Sequence, residues 1–144
     1  MENSVIEILL IEDDHDDAEF TIHALRKNNL ANNLRHIDNG EEALEFLYNS
    51  GNLSPKIILL DLRMPRVDGI QILKRLKNDP EKKNIPVIVM VSSVDGKNYV
   101  ESFKVRADAY ISKPLDFKKF FDAIAGLGLT WTILSTPELK GLQV

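Results

Sequence analysis

Residues 57–69 read Ile57-Ile58-Leu59-Leu60-Asp61-Leu62-Arg63-Met64-Pro65-Arg66-Val67-Asp68-Gly69. Four apolar residues run straight into one carboxylate, and turn residues follow. An apolar run of this length bounded by turn signals suits a strand buried on both faces, as in a parallel sheet. Pro65 and Asp68-Gly69 punctuate the passage to the next helical pattern. Asp61 is therefore expected at the carboxyl end of a central strand, where open α/β sheets carry their functional groups. A single strand-end Asp is more often a cap or a loop residue, so the rest of the chain must decide its role.

Working outward, the same grammar repeats. Residues 6–11 (Ile-Glu-Ile-Leu-Leu-Ile) form a first strand-length run that stops at Glu12-Asp13-Asp14. Helical spacing follows over 15–29, with Ala18, Ile22 and Leu25 on one face and Asp16, Asp17 and Glu19 favouring its N-terminus. A short strand near 34–37 leads through Asn39-Gly40 into a helix over 41–49. After the 57–60 strand, Ile70, Ile72, Leu73 and Leu76 have helical spacing up to Asn78-Asp79-Pro80. Val87-Ile88-Val89-Met90-Val91 is a fourth strand rich in β-branched residues. Residues 97–105 read as a helix and Ala109-Tyr110-Ile111 as a fifth strand. Phe117, Phe120, Phe121 and Ile124 mark a last helix over about 116–125. Five strands alternating with five helices predict an α/β fold: a (βα)5, doubly wound, parallel five-stranded sheet of flavodoxin-like form.

Residues 126–144 break the alternation and form a C-terminal extension beyond a domain spanning 1–125. They hold Leu127, Leu129, Ile133, Leu134 and the only tryptophan, Trp131, a cluster too apolar for a free tail. Packing back on the domain and a homodimer contact are both open for it.

Composition narrows the function. The 144 residues carry a net charge of −4, so neither nucleic acid nor an anionic membrane surface is favoured as partner. There is no cysteine, which removes disulfides, thiolate metal sites and cysteine nucleophiles. The acidic N-terminus and the lack of a long uncharged apolar span argue against a signal peptide or membrane helix, and for a cytoplasmic domain. His15, His23 and His36 show no metal-ligand spacing.

In an all-parallel sheet the strand ends share one edge. That gathers Glu12 and Asp13 from the first strand, Asp61 from the third, Ser92 from the fourth and Lys113 from the fifth. Carboxylates at about 4 Å and an effective dielectric near 20 repel by about 4 kcal/mol per pair. Such a cluster needs raised pKa values or a bound cation, and an oxygen-only ligand set suits Mg²⁺. Lys113 can pair with a phosphate or, in its absence, with a carboxylate. Helix capping is the simpler account of Glu12-Asp13-Asp14 taken alone, and Asp14 suits that role.

Four ordered motifs then carry a family resemblance: Ile8-Leu9-Leu10-Ile11-Glu12-Asp13-Asp14, the stretch from Leu59 to Gly69, the stretch from Pro86 to Ser93, and Ala109-Tyr110-Ile111-Ser112-Lys113-Pro114. Over about residues 5–125 the chain resembles the receiver domain of a two-component response regulator. The resemblance implies that Asp61 accepts a phosphoryl group from a sensor histidine kinase and signals by contact with a downstream protein. It implies Mg²⁺ held by Asp13 and Asp61, with Glu12 acting through a bound water and Arg63 giving its backbone carbonyl. It also implies Lys113 on the phosphoryl oxygens, a cis Lys113-Pro114 peptide, and Tyr110 as the switch aromatic. The extension is similar to that of the small single-domain regulators that partner phytochrome kinases.

One position departs from the family pattern. The fourth strand usually ends in Thr or Ser, whereas counting back from Lys113 puts Val91 there and Ser92 one residue beyond. Successive strand residues face opposite ways, so only a local bulge would let Ser92 substitute. Otherwise the hydroxyl is absent and switching is weakened or rerouted, which is the preferred reading. The alternative function is then a phosphorylation-insensitive receiver serving as a constitutive interaction or dimerisation module. A haloacid-dehalogenase-like phosphatase is disfavoured, because Arg63 stands where that family has a second Asp and no insertion would cap a substrate.

Overall fold

In the computed structural model, residues 7–27, 33–49, 54–62, 68–93 and 95–127 are described. Arg63 and the extension from residue 128 onward therefore lie outside the described residues, as do Asn28 and Asn29. Five strands, β1 (Ile8–Ile11), β2 (Leu34–Ile37), β3 (Ile57–Asp61), β4 (Val87–Val91) and β5 (Ala109–Ser112), form one sheet in the order β2-β1-β3-β4-β5. Every neighbouring pair is parallel. The chain steps from β1 outward to β2 and then returns to β3 on β1's other side. The edge between β1 and β3 is thus the point where the winding reverses, and a crevice opens there at the strands' carboxyl ends.

The helices are α1 (His15–Arg26), α2 (Gly40–Tyr48), α3 (Gly69–Lys77), α4 (Gly96–Glu101) and α5 (Phe117–Gly126). Four start under the same device: Asp14, Asn39, Asp68 and Asp116 each accept the backbone N–H three residues on. Asp14 is thus a cap, as its position suggested. The α1 face towards the core is Ala18, Thr21 and Leu25, with Ile22 half-buried at its margin.

The fourth helix is shorter than the predicted 97–105. It has no side-chain cap, and Val100 is its sole buried residue, so little packing energy extends it. Ser102 donates its hydroxyl to the Tyr99 carbonyl at 2.6 Å, and Lys104 adopts a left-handed φ of 61° that ends the turn.

Alternation along the strands divides the core into two halves. Leu9, Ile11, Ile58, Leu60, Val87, Val89 and Val91 pack on the α2–α4 side. Ile8, Leu10, Ile57, Leu59, Ile88, Met90 and Ile111 pack towards α1 and α5 with Phe120. Fully burying each such side chain stabilises the fold by roughly 1.5–3 kcal/mol, which fixes the strand register firmly. Where α3 meets the end of β3 the backbones touch: a Cβ on Gly69 would lie 2.6 Å from the Asp61 carbonyl oxygen and 2.7 Å from Leu62 Cα. Among the described residues no helix is long and apolar enough to cross a membrane.

Candidate functional site

The ladder carries its ends into the crevice. Glu12 continues β1, donating its N–H to the Ile37 carbonyl at 3.1 Å, while its own carbonyl oxygen meets His36 Nε2 at 2.8 Å. Its side chain is fully buried. Oε2 accepts the Asp14 N–H at 3.2 Å, but Oε1 has no hydrogen-bond partner among the described residues. Asp61 is the last residue of β3, paired in register with Met90 and only 5% exposed. Lys113 follows β5; its N–H donates to the Val91 carbonyl at 2.8 Å, and the peptide to Pro114 is cis.

These positions converge. Lys113 Nζ lies 3.1 Å from Asp61 Oδ1 and 3.2 Å from Glu12 Oε1, the second an ion pair without hydrogen-bond geometry. Glu12, Asp13 and Asp61 each offer a carboxylate oxygen, all within 4.8 Å of one another. At that distance and an effective dielectric near 20, each charged pair repels by about 3 kcal/mol, so one ammonium does not neutralise the set. The protonation equilibria record the strain. Burial, then the charge of Asp61, pushes Glu12 up to about 7 against the pull of Lys113. Burial and Asp61 also raise Asp13. Burial opposes the charge on Lys113, but Asp61 and Glu12 outweigh it and hold the ammonium above the ordinary lysine range.

A divalent cation fits this arrangement. Three carboxylates supply hard oxygen donors, and the buried Oε1 of Glu12, ion-paired with Lys113, accepts no hydrogen bond among the described residues.

The fourth-strand question has a geometric answer. The ladder runs unbroken through Val91, which pairs with Ser112. Val91 shares the buried face of Val87 and Val89 and packs beneath Gly96, where a Cβ would sit 2.4 Å from the valine Cβ and Cγ1. Ser92 lies past the strand and is exposed. No bulge brings it into Val91's place. Both residues line a cavity of about 330 Å³ beside Asp61, together with Leu62, Met90, Gly96 and Tyr99.

Tyr110 belongs to the same half of the core as Val91. Its ring is half-buried against the α2–α4 half of the core. Its oxygen accepts the Ala107 N–H at 3.0 Å and donates to Glu101 Oε2 at 3.3 Å, tying β5 to the last turn of α4. Burial raises its pKa, so the phenol stays protonated.

His15 Nε2 is 3.4 Å from Asp38 Oδ2, and His15 and His36 meet edge to face. Sequence reasoning missed one contact. Asp17 appeared only as a helix-start acid, yet its Oδ2 accepts a hydrogen bond from Lys113 Nζ at 3.2 Å. The available signal was its place in the first turn after a strand-end acidic cluster.

Comparisons with known proteins agree with this geometry. Residues 8–125 match the model of the response regulator receiver domain. The chain is 30% identical over 128 residues to the response regulator Rcp1 of Synechocystis sp., covering 86% of this chain and 87% of that one. The Mn²⁺-bound form of Rcp1 superposes with a TM-score of 0.67 at 28% identity, over 90% of this chain and 94% of that one. The bacteriophytochrome response regulator AtBRR aligns with a TM-score of 0.81 at 36% identity, over 89% of this chain and 96% of that one. The phosphorylated cyanobacterial phytochrome response regulator RcpA aligns at 0.69 and 28% identity, over 92% and 98%.

Proposed function

The chain belongs to the response regulator receiver domain family, and on that premise we propose that Asp61 accepts a phosphoryl group from the phosphohistidine of a sensor kinase of the phytochrome type. Receiver domains are signalling switches rather than enzymes in the ordinary sense, so the output is protein–protein contact in the cytoplasm. One observation carries the reading: Asp61 is 5% exposed at a strand end, with Lys113 3.1 Å away and two more carboxylates beside it. The phytochrome-type partner rests on likeness to AtBRR and RcpA.

In the transfer, an Asp61 carboxylate oxygen attacks phosphorus as the bond from phosphorus to the kinase imidazole breaks. The electron pair of that bond leaves with the ring nitrogen, and an acyl phosphate remains on Asp61. Lys113 then turns from a carboxylate oxygen to a phosphoryl oxygen, meeting charge as it moves outward. Glu12, Asp13 and Asp61, with the Arg63 carbonyl, would hold Mg²⁺, which neutralises charge on the phosphoryl group. In the same reading residues 126–144 serve as a packing or dimer contact.

The test is treatment with acetyl phosphate, with and without Mg²⁺, read by intact mass. One phosphoryl group should be added with Mg²⁺, and none on Asp61→Asn. Equal modification of that variant would sink the assignment.

Val91 favours a second reading. With no hydroxyl at the end of β4 and Tyr110 already tied to Glu101, phosphorylation leaves α4 and β5 unmoved and the receiver acts as a constitutive interaction module. It requires sedimentation to be unchanged by a phosphate mimic; a clear shift rules against it.

A further inference from the structure

Lys113 reaches outward as well as inward. Its ammonium has three protons, and Asp61 Oδ1 engages it from within the crevice at 3.1 Å. From the first turn of α1, the half-exposed Asp17 Oδ2 approaches to 3.2 Å and accepts a hydrogen bond. The lysine, 20% exposed, thus bridges the buried carboxylates of Asp61, whose side chain is 7% exposed, and Glu12, 3.2 Å away, to the half-exposed carboxylate of Asp17. Asp17 is itself held, because its N–H donates to the capping Asp14 Oδ1 at 2.9 Å. A short chain of contacts therefore runs from the capped backbone of α1, through the Asp17 carboxylate, to the ammonium that faces the acceptor.

Resting on the Asp61 reading above, we propose that Asp17 is a positioning residue for phosphoryl acceptance, anchoring Lys113 from outside the crevice. When Asp61 becomes an acyl phosphate, the negative charge that Lys113 must meet moves away from Oδ1 and towards solvent. An ammonium held only by Asp61 and Glu12 would sit too deep. Asp17 holds it at the mouth, within reach of both the free carboxylate and the transferred group, so less reorganisation accompanies the transfer. Asp17 is not among the three carboxylates gathered at the acceptor, and it acts wholly through the lysine.

A surface ion pair with no consequence is the competing account. Four full-length variants separate the two, each treated with acetyl phosphate and Mg²⁺ and followed by intact mass. Asp17→Asn keeps the shape and removes the charge; it should slow acceptance about fivefold, the scale of a partly exposed charged contact. Asp16→Asn removes the same charge one residue away and should change the rate less than about twofold, which separates anchoring from bulk attraction or repulsion of the anionic donor. Asp17→Glu, which restores a carboxylate, should recover most of the rate. In a Lys113→Ala background, Asp17→Asn should have no further effect, because its route is gone. Equal rates for Asp17→Asn and Asp16→Asn, or full additivity with Lys113→Ala, would overturn the proposal while leaving Asp61 as acceptor. A wild-type chain that takes up no phosphoryl group would overturn the acceptor reading itself, and the anchor with it.

Discussion

Raising the pH from about 5 to about 8 without a divalent cation should weaken the fold through Glu12. That carboxyl is pushed from 4.5 up to about 7, first by burial and then by the charge on Asp61, with Lys113 pulling it back. A carboxyl whose folded pKa exceeds its unfolded value keeps its proton longer in the folded chain. Between those two values the folded state binds more protons than the unfolded one, so this group's contribution falls as pH rises through the window. A shift from 4.5 to about 7, at about 1.4 kcal/mol per unit, bounds the loss at about 3 kcal/mol. Asp13, raised by burial and Asp61, adds to the same slope. Lys113 does not enter: a lysine held above its ordinary value contributes fully below about 10.5 and loses that contribution only at higher pH. The assay is urea unfolding across the window for wild type and Glu12→Gln, each with and without saturating Mg²⁺. The stability difference between wild type and Glu12→Gln should move against wild type as pH rises, and Mg²⁺, which binds the ionised set, should recover it. A difference that is flat with pH, or that moves in wild type's favour, would refute the account of the acidic cluster.

Other perturbations test the surrounding frame. Gly96→Ala, whose Cβ would meet Val91 Cβ at 2.4 Å, should cost about 1–3 kcal/mol in urea unfolding. Adding Val91→Ala removes the equally close Cγ1 contact at 2.4 Å but keeps the Cβ one, so it should restore only part of that, with a coupling of about 0.5–3 kcal/mol. Tyr110→Phe removes the acceptor of the Ala107 N–H and the donor to Glu101, and should lower stability by about 1 kcal/mol while speeding amide exchange in α4. Asp108→Ala should cost about 2–3 kcal/mol, since Asp108 Oδ2 accepts from both the Val87 N–H and Lys77. Lying at the opposite edge of the sheet, it should leave phosphoryl acceptance by intact mass unchanged.

What the sequence revealed, and what it hid, follows from range and strength of signal. The strands were legible because each is a continuous apolar run, and a parallel sheet then forces Glu12, Asp61 and Lys113 to one edge without any knowledge of contacts. Asp14 was legible as a cap because capping is a local rule. Asp17 was not: its partner lies 96 residues away, and the contact depends on how far one lysine reaches. The end of α4 was also hidden, because a left-handed Lys104 and a single buried valine leave no periodic trace. Whether Val91 or Ser92 closes the fourth strand turned on one residue of register, which pairing with β5 decides and local pattern does not.

The touching backbones of α3 and β3 also bear on how this chain tolerates variation. At Gly69 no added atom can be accommodated by a side chain swinging aside, since what it meets is the acceptor's own carbonyl and the next residue's Cα. A library randomised there and selected for phosphoryl uptake should return glycine almost alone. At Gly126, by contrast, nothing among the described residues lies within 4 Å of an added Cβ. The tightest demand on sequence near the acceptor thus falls on a residue that takes no part in the chemistry.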